Sequence, residues 1–331
     1  MQYFEIFLSL HLIFLSGNGI LQMVDLSSLF CFVLFLKPNH IKMKFLATFQ
    51  SLRIYIIFSG GNSNMWTKEL FKVEKPIIAL LHLRALPGDP DFCGNIEKVI
   101  DQAKADLQAL QDGGVDGVLI ANEFSLPYQL KAEPVTVGAM GYIVGRLKDE
   151  IHVPFGVNIV FNAMETLELA ASTGASFIRS AFTGAYMGES GVMLTNAGKI
   201  ARRKKELGLD NLKLLYKVNP ESDAYLVPRD IQTITKSIKF NCNPDGLCVS
   251  GASAGCETDT QILADVKAVA GDTPVFCNTG FSAKTAREKL AICDAACVGT
   301  TFKVDGKFEN NVDPARVIEV MNIVQQIRSE L

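Results

Sequence analysis

The sequence predicts a single (β/α)8 barrel, and three observations carry that reading. Eight short apolar runs, each suited to a buried parallel strand, alternate with stretches of helical period after residue 65. The last two runs, Pro274 to Asn278 and Asp294 to Gly299, lead into Asn278-Thr279-Gly280 and Gly299-Thr300-Thr301. Such small polar ends let backbone N–H groups approach an anion, and the loops after strands 7 and 8 often bind phosphate in these barrels. Finally, no Gly-rich dinucleotide fingerprint follows the first strand, which disfavours an open doubly wound sheet.

Taken in order, Pro76 to Leu83 is strand 1, tipped by His82 and Arg84 and followed by the loop Leu86-Pro87-Gly88-Asp89-Pro90. Asn95 to Gln111 has a helical apolar face and stops at Gly113-Gly114. Val115 to Ala121 is strand 2, with Asn122 and Glu123 at its end, and Pro134 to Glu150 is a glycine-weakened helix. Strand 3, Val153 to Val160, carries Asn158, and helix Ala163 to Thr173 closes at Gly174. Strand 4, Ser176 to Ala181, holds Arg179 and opens a longer loop at Phe182. Asn196 to Leu207 is a helix whose basic run reads as a solvated face. Strand 5, Leu212 to Val218, carries Lys217; helix Asp230 to Lys239 follows; strand 6, Asp245 to Ser250, runs into Gly251-Ala252-Ser253-Ala254-Gly255. Thr260 to Ala270 is a helix with Thr258 as a candidate cap and Asp259 supporting its start, Ala283 to Ala291 separates strands 7 and 8, and Pro314 to Ile327 closes the chain.

The 331 residues are 48% hydrophobic and 20% charged, with a net charge of -3. This composition suits a soluble enzyme and offers no broad positive field to nucleic acid, which is excluded as a partner. The eight cysteines form no C-x-x-C pair and several lie in apolar runs, so reduced thiols and a cytoplasmic location are expected. Residues 1–64 differ: three apolar runs, each shorter than the roughly 20 residues of a membrane span, without the order of a signal peptide. They are read as a non-native or disordered extension, translated from a start codon placed too early. The domains are therefore 1–64, extension, and 65–331, barrel.

The carboxyl ends of barrel strands hold the working groups. That filter selects His82, Asn122, Glu123, Asn158, Arg179 and Lys217 as catalytic candidates. His82 or Glu123 would serve as acid or base, with a core histidine and a rim ion pair as the plain alternatives. Arg179 and Lys217 lie on neighbouring strands, and a charge pointing inward there requires a carboxylate or an anionic substrate to answer it. A salt bridge at Lys217 is favoured over a Schiff base. Gly251, Ser253 and Gly255, Asn278 and Gly280, and Gly299 and Thr300 would converge on one phosphate, with Lys303 adding charge. No cofactor is called for. No metal cluster is spaced in the sequence, although Asp89, Asp91, Glu123 and Asp223 could supply oxygen ligands to Mg²⁺.

Several of these stretches resemble the BtpA/SgcQ family: Ile77 to Pro90, Gly113 to Gly117, Pro154 to Asn158, Phe177 to Arg179 with Phe182 to Ala185, and Val298 to Gly306. The likeness runs from about Met65 to the C terminus and is nearest to the SgcQ-like branch, associated with sugar-utilisation gene clusters. It implies a fold similar to ribulose-phosphate-binding barrels, and one branch of the family is linked to photosystem I biogenesis. Many members carry an Ala-Asp-Val run in strand 5 and a Lys-His pair beyond it, whereas this chain has Leu214 to Pro220 there. Any activity that needs that Asp or His is in doubt. The expected function is isomerisation, epimerisation or aldol-type cleavage of a small phosphorylated metabolite. The alternatives are a non-catalytic assembly or regulatory protein and a nucleotide-linked enzyme; a membrane partner is disfavoured and a homo-oligomer is compatible.

Overall fold

The computed structural model divides into two compact units, 1–63 and 64–331. It describes residues 65–253 and 255–331 and, before them, only three strand segments. Those segments, Val33–Phe35, Lys42–Thr48 and Ser51–Tyr55, pair antiparallel in sequence order. The remainder of the extension lies outside the described residues.

The second unit is a closed barrel of eight parallel strands. These are β1 Ile77–His82, β2 Gly117–Ala121, β3 Phe155–Asn158, β4 Phe177–Ser180, β5 Lys213–Asn219, β6 Gly246–Val249, β7 Val275–Cys277 and β8 Ala295–Val298. Each pairs with the next, and β8 pairs with β1 to close the ring. Helices cover the outside: α2 Ile96–Asp112, α3 Pro134–Leu147, α4 Ala163–Thr173, α5 Ala197–Glu206, α6 Ile231–Cys242, α7 Thr260–Ala270, α8 Ala286–Ile292 and α9 Pro314–Ser329. Strands buried on both faces must be apolar throughout. The two sides of β1 then serve two cores: Ile77, Ala79 and Leu81 pack outward against helices, while Ile78 and Leu80 fill the lumen.

Local sequence sets the helix ends. The Asn95 side chain accepts from the Glu97 N–H at 2.9 Å, and the buried stripe Val99, Ile100, Ala103, Leu107 and Leu110 holds α2 on the barrel. The helix stops at Gly113, and Gly114 turns the chain at φ +84°. At α7 the cap is Asp259, which accepts from the N–H groups of Gln261 and Ile262; Thr258, expected to cap, instead donates its buried hydroxyl to the Thr279 carbonyl. Helix α3 ends at Leu147, and its expected last turn is a 3₁₀ segment, Lys148–Glu150.

Two elements were not foreseen. Helix α1, Met65–Phe71, plugs the amino-terminal end of the lumen. The Trp66 indole N–H donates to the Asp245 carbonyl at 3.0 Å and the ring stacks on Phe276, while Phe71 meets Phe177 edge-on at 5.8 Å. Gly117 makes this fit: a Cβ there would lie 2.7 Å from the Phe71 ring. The second element is an antiparallel hairpin in the long loop after β4, Ala185–Gly188 with Gly191–Leu194, extended by Ala224–Tyr225 from the loop after β5.

Candidate functional site

At the carboxyl end the lumen changes from apolar to charged. Register places His82, Ala121 and Asn158 side by side on β1, β2 and β3. Arg179, on β4, is 1% exposed. Burial works against its charge, but Cys297, Glu221 and Glu123 outweigh that and hold the guanidinium protonated. Its Nη2 lies 3.6 Å from the Glu123 carboxylate and its Nη1 donates to the Asn278 side-chain oxygen at 2.9 Å. The Asn278 amide then donates to the Ser250 hydroxyl at 2.9 Å, which donates to Glu221 at 3.0 Å, and Lys217 pairs with Glu221 at 2.9 Å. One polar chain thus links the ends of five strands.

Glu221 is the member that strand-end reasoning left out. Burial would raise its carboxyl, yet the Lys217 and Arg179 charges override that and hold it at about 2. The signal was present in the sequence: Glu221 stands four residues after Lys217. Lys217 accordingly has the expected salt bridge.

His82 is buried, and neither ring nitrogen has a hydrogen-bond partner among the described residues. Burial, then the charges of Lys303, Arg179 and Arg84, push its pKa well below the usual imidazole value. It is therefore neutral near pH 7, with one nitrogen able to donate and the other to accept. Phe308 packs 5.4 Å from the ring, and Phe124 is 4.7 Å from Phe308, with the Arg84 guanidinium on Phe124 at 4.5 Å. Gly299 gives His82 its room, since a Cβ there would lie 3.0 Å from Nε2.

The loops after β6, β7 and β8 meet beside this histidine. The Gly251 N–H donates to the Thr279 hydroxyl at 2.6 Å, joining loops 6 and 7. Gly280, at φ +64°, lies so close to loop 6 that a Cβ would be 2.2 Å from the Glu257 Cα. Gly255 sits against Thr300. The backbone N–H groups of Gly280, Thr300 and Thr301 donate to no acceptor among the described residues. Gly255, Thr279, Gly280, Thr300 and Thr301 border a cleft that opens to solvent at the carboxyl end of the barrel.

A model of the BtpA family matches residues 73–326, which is most of the barrel unit. The chain belongs to the BtpA family. It is 48% identical over 265 residues to SgcQ of the sgc region of Escherichia coli (strain K12), covering 80% of this chain and 99% of the relative. Identity to the photosystem I biogenesis protein BtpA of Synechocystis is 29% over 252 residues, covering 75% and 88%. Among solved structures, a cube-shaped cage designed by fusing symmetric oligomeric domains is similar with a TM-score of 0.51, 15% identity, and coverage of 77% of this chain and 74% of that one. That likeness concerns the fold alone.

Of the residues selected from this BtpA-family sequence, His82, Glu123, Arg179, Gly255, Asn278, Gly280, Gly299 and Thr300 border the one cleft. Lys217 stands behind Glu221. Asn122 has turned away: its side-chain oxygen accepts from the Val160 N–H at 2.9 Å, beside a small separate cavity. Asn158 is buried and does not border the cleft. The Gly251 N–H is used by Thr279, and the Ser253 hydroxyl lies 2.8 Å from the Cys256 sulfur. Lys303 is 1% exposed; its ammonium lies 3.9 Å from Asp106 and has no hydrogen-bond partner among the described residues. Glu221, Phe281, Thr301 and Phe308 also line the cleft, with Leu80, Thr279 and Val298. Phe308 had no signal, because it reaches the site from the irregular segment after β8.

Among the described residues no three His, Cys, Asp or Glu side chains gather to hold a metal ion. Of the acidic residues considered for Mg²⁺, Asp89 accepts from the Leu86 N–H and the Ser125 hydroxyl and Glu123 faces Arg179, whereas the buried Asp223 Oδ2 has no hydrogen-bond partner among the described residues. No described helix is long and apolar enough to cross a membrane.

Proposed function

We propose that this chain is an enzyme that binds a small phosphorylated sugar or related metabolite and moves a proton next to its carbonyl, as in isomerisation, epimerisation or aldol-type cleavage. One observation carries the reading: a buried neutral histidine with both nitrogens unpartnered borders the same cleft as three unpartnered loop amides and a buried arginine. The unmet nitrogens of buried His82 are costly in the free protein and would be repaid if a ligand answered them, and the half-buried loop amides stand open to the same ligand.

The amides of Gly280, Thr300 and Thr301 would hold the phosphate, since oriented N–H groups form an anion-binding concavity. At the other end, Glu123 would accept the proton from carbon. His82 would donate to the carbonyl oxygen as a neutral group, and Arg179 would stabilise the developing oxyanion. Glu221, ionised and paired with Lys217, would keep Arg179 oriented through Ser250 and Asn278. The strand-5 departure from the family pattern fits a proton-transfer apparatus assembled around β1, β2 and β4.

Calorimetric titration with a panel of phosphosugars, followed by NMR detection of deuterium entering the bound ligand from solvent, tests this. Binding with exchange is expected. Arg179→Met should lower exchange by about 10²-fold or more, the usual cost of one oxyanion donor. A folded protein that binds nothing in the panel overturns it.

A second reading, a non-catalytic assembly or regulatory barrel, is favoured by the way the charges answer one another as Arg179 with Glu123 and Lys217 with Glu221. The Synechocystis relative, a photosystem I biogenesis protein by name, points the same way. Phosphosugar binding without exchange in the wild type would support that reading over the first.

A further inference from the structure

The hairpin after β4 presents an unusual second face. An antiparallel sheet with one packed face ordinarily turns polar residues to water on the other. Here Tyr186 and Met193, paired across the hairpin, are buried with Ala181, and the half-buried Tyr225 and Phe161 pack against them. The alternate positions are Met187, Val192 and Leu194, at 57%, 46% and 75% exposure. The chain continuing from the third strand adds Leu226 and Val227, at 45% and 69%. Leu130, from the loop after β2, adjoins at Gly191, where a Cβ would lie 3.4 Å from its methyl. A contiguous exposed apolar surface of this kind marks an interaction site.

The distribution of charge says what covers it. The exposed residues Met187, Val192, Leu194, Leu226 and Val227 are all apolar, and Glu189 lies between Met187 and Val192 in the hairpin turn. At one end, in the hairpin turn, stands exposed Glu189, near Asp223; at the other stands exposed Arg229, near Tyr225. A surface that is uncharged at its centre and carries opposite charges at its two ends is complementary to itself when turned by a two-fold axis. Each acidic end then meets the basic end of the other copy. The strand Gly191–Leu194 is also an open sheet edge, which a native protein commonly covers or pairs.

We propose that the outer face of this three-stranded sheet is a self-association surface through which two copies of the chain pair about a two-fold axis. The pairing does not depend on what the cleft binds. It does have a consequence there: Glu221 stands three residues before the strand Ala224–Tyr225, so the paired sheets brace the wall that carries it.

Sedimentation velocity of the full chain at micromolar concentration tests the proposal. The wild type is expected at twice the 36.2 kDa chain mass. Leu194→Asp should raise the dimer dissociation constant by about tenfold or more, and Val192→Asp/Leu194→Asp further. Phe240→Asp, at a side chain 89% exposed on α6, should leave it unchanged. Circular dichroism must show native spectra for all three variants, as expected for exposed positions. If Glu189 meets Arg229 across the axis, Glu189→Lys should weaken the dimer and Glu189→Lys/Arg229→Glu should restore it. A wild type that stays monomeric, or a dimer indifferent to both Leu194→Asp and the charge reversal, overturns the proposal. Binding only to vesicles or to an unrelated protein, with the chain itself monomeric, does the same.

Discussion

The two ends of the barrel lumen are built on opposite rules. The amino-terminal end is apolar and aromatic: Trp66, Phe71, Phe177 and Phe276 fill it, and Gly117 and Gly156 leave room for the rings. The carboxyl-terminal end holds Arg179, Glu221, Lys217 and His82, with buried polar atoms left without protein partners. The lower end is complete in itself, whereas the upper end keeps buried polar atoms for which the proposed ligand would supply partners. Stability should therefore concentrate below and binding above.

Phe177→Ala would break that contrast most severely. It should cost about 3–5 kcal/mol by emptying a packed space between Phe71 and Gly156, read as a fall in the urea midpoint with an unchanged slope. A loss below about 1 kcal/mol would show that the plug is not the stabilising end.

Glu221→Gln comes next and exposes the stability the mouth does hold. The Glu221 carboxyl lies at about 2 when folded and ionises higher when unfolded, so its contribution is full above the unfolded value and is lost as pH falls through 2. That contribution is on the order of 2–3 kcal/mol near neutral pH. Chemical denaturation between pH 6 and pH 2 should give a flatter acid limb for the variant than for the wild type.

Gly299→Ala sharpens the comparison at one atom. Its methyl would press His82 at 3.0 Å, costing about 1–3 kcal/mol and displacing the ring from the cleft. Phosphosugar affinity should fall by more than stability does; equal loss of both would detach Gly299 from the site.

His82 gives the smallest effect. Its folded pKa is depressed, so stability is full above the unfolded imidazole value and declines as pH falls below it. His82→Gln should remove that decline, and ¹⁵N spectra of the wild type should show a neutral ring at pH 6, where a free histidine is largely protonated. An imidazolium signal at that pH would be incompatible with the environment described.

Much of the barrel was legible because strand and helix periods are local. The continuous apolar run from Pro76 to Leu83 reads as a strand buried on both faces and appears as β1, and Ala163–Thr173 appears with the expected bounds. The convergence of loops 6, 7 and 8 followed from topology, since consecutive parallel strands deliver their ends to one rim. What escaped depends on contacts across the ring. Asn122 occupies a strand end but is taken by a backbone N–H on β3's loop, and nothing in its neighbours announces that. Helix α1 has too few residues for a periodic signal, and its reason for being is the lumen it fills. Phe308 is a similar case, because an irregular segment carries no period.

Strand β8 is hydrogen-bonded to β1, so Gly299 and His82 stand at the seam where the first and last strands meet. A ligand touching both would act as a fastener on that seam. Opening the ring would then require releasing it, and the barrel would gain RT ln(1 + [L]/Kd) against any unfolding that starts there. Protection of the β1 and β8 amides from hydrogen exchange would rise with ligand concentration, ahead of the strands on the opposite wall. The cleft would report closure of the chain on itself as well as occupancy.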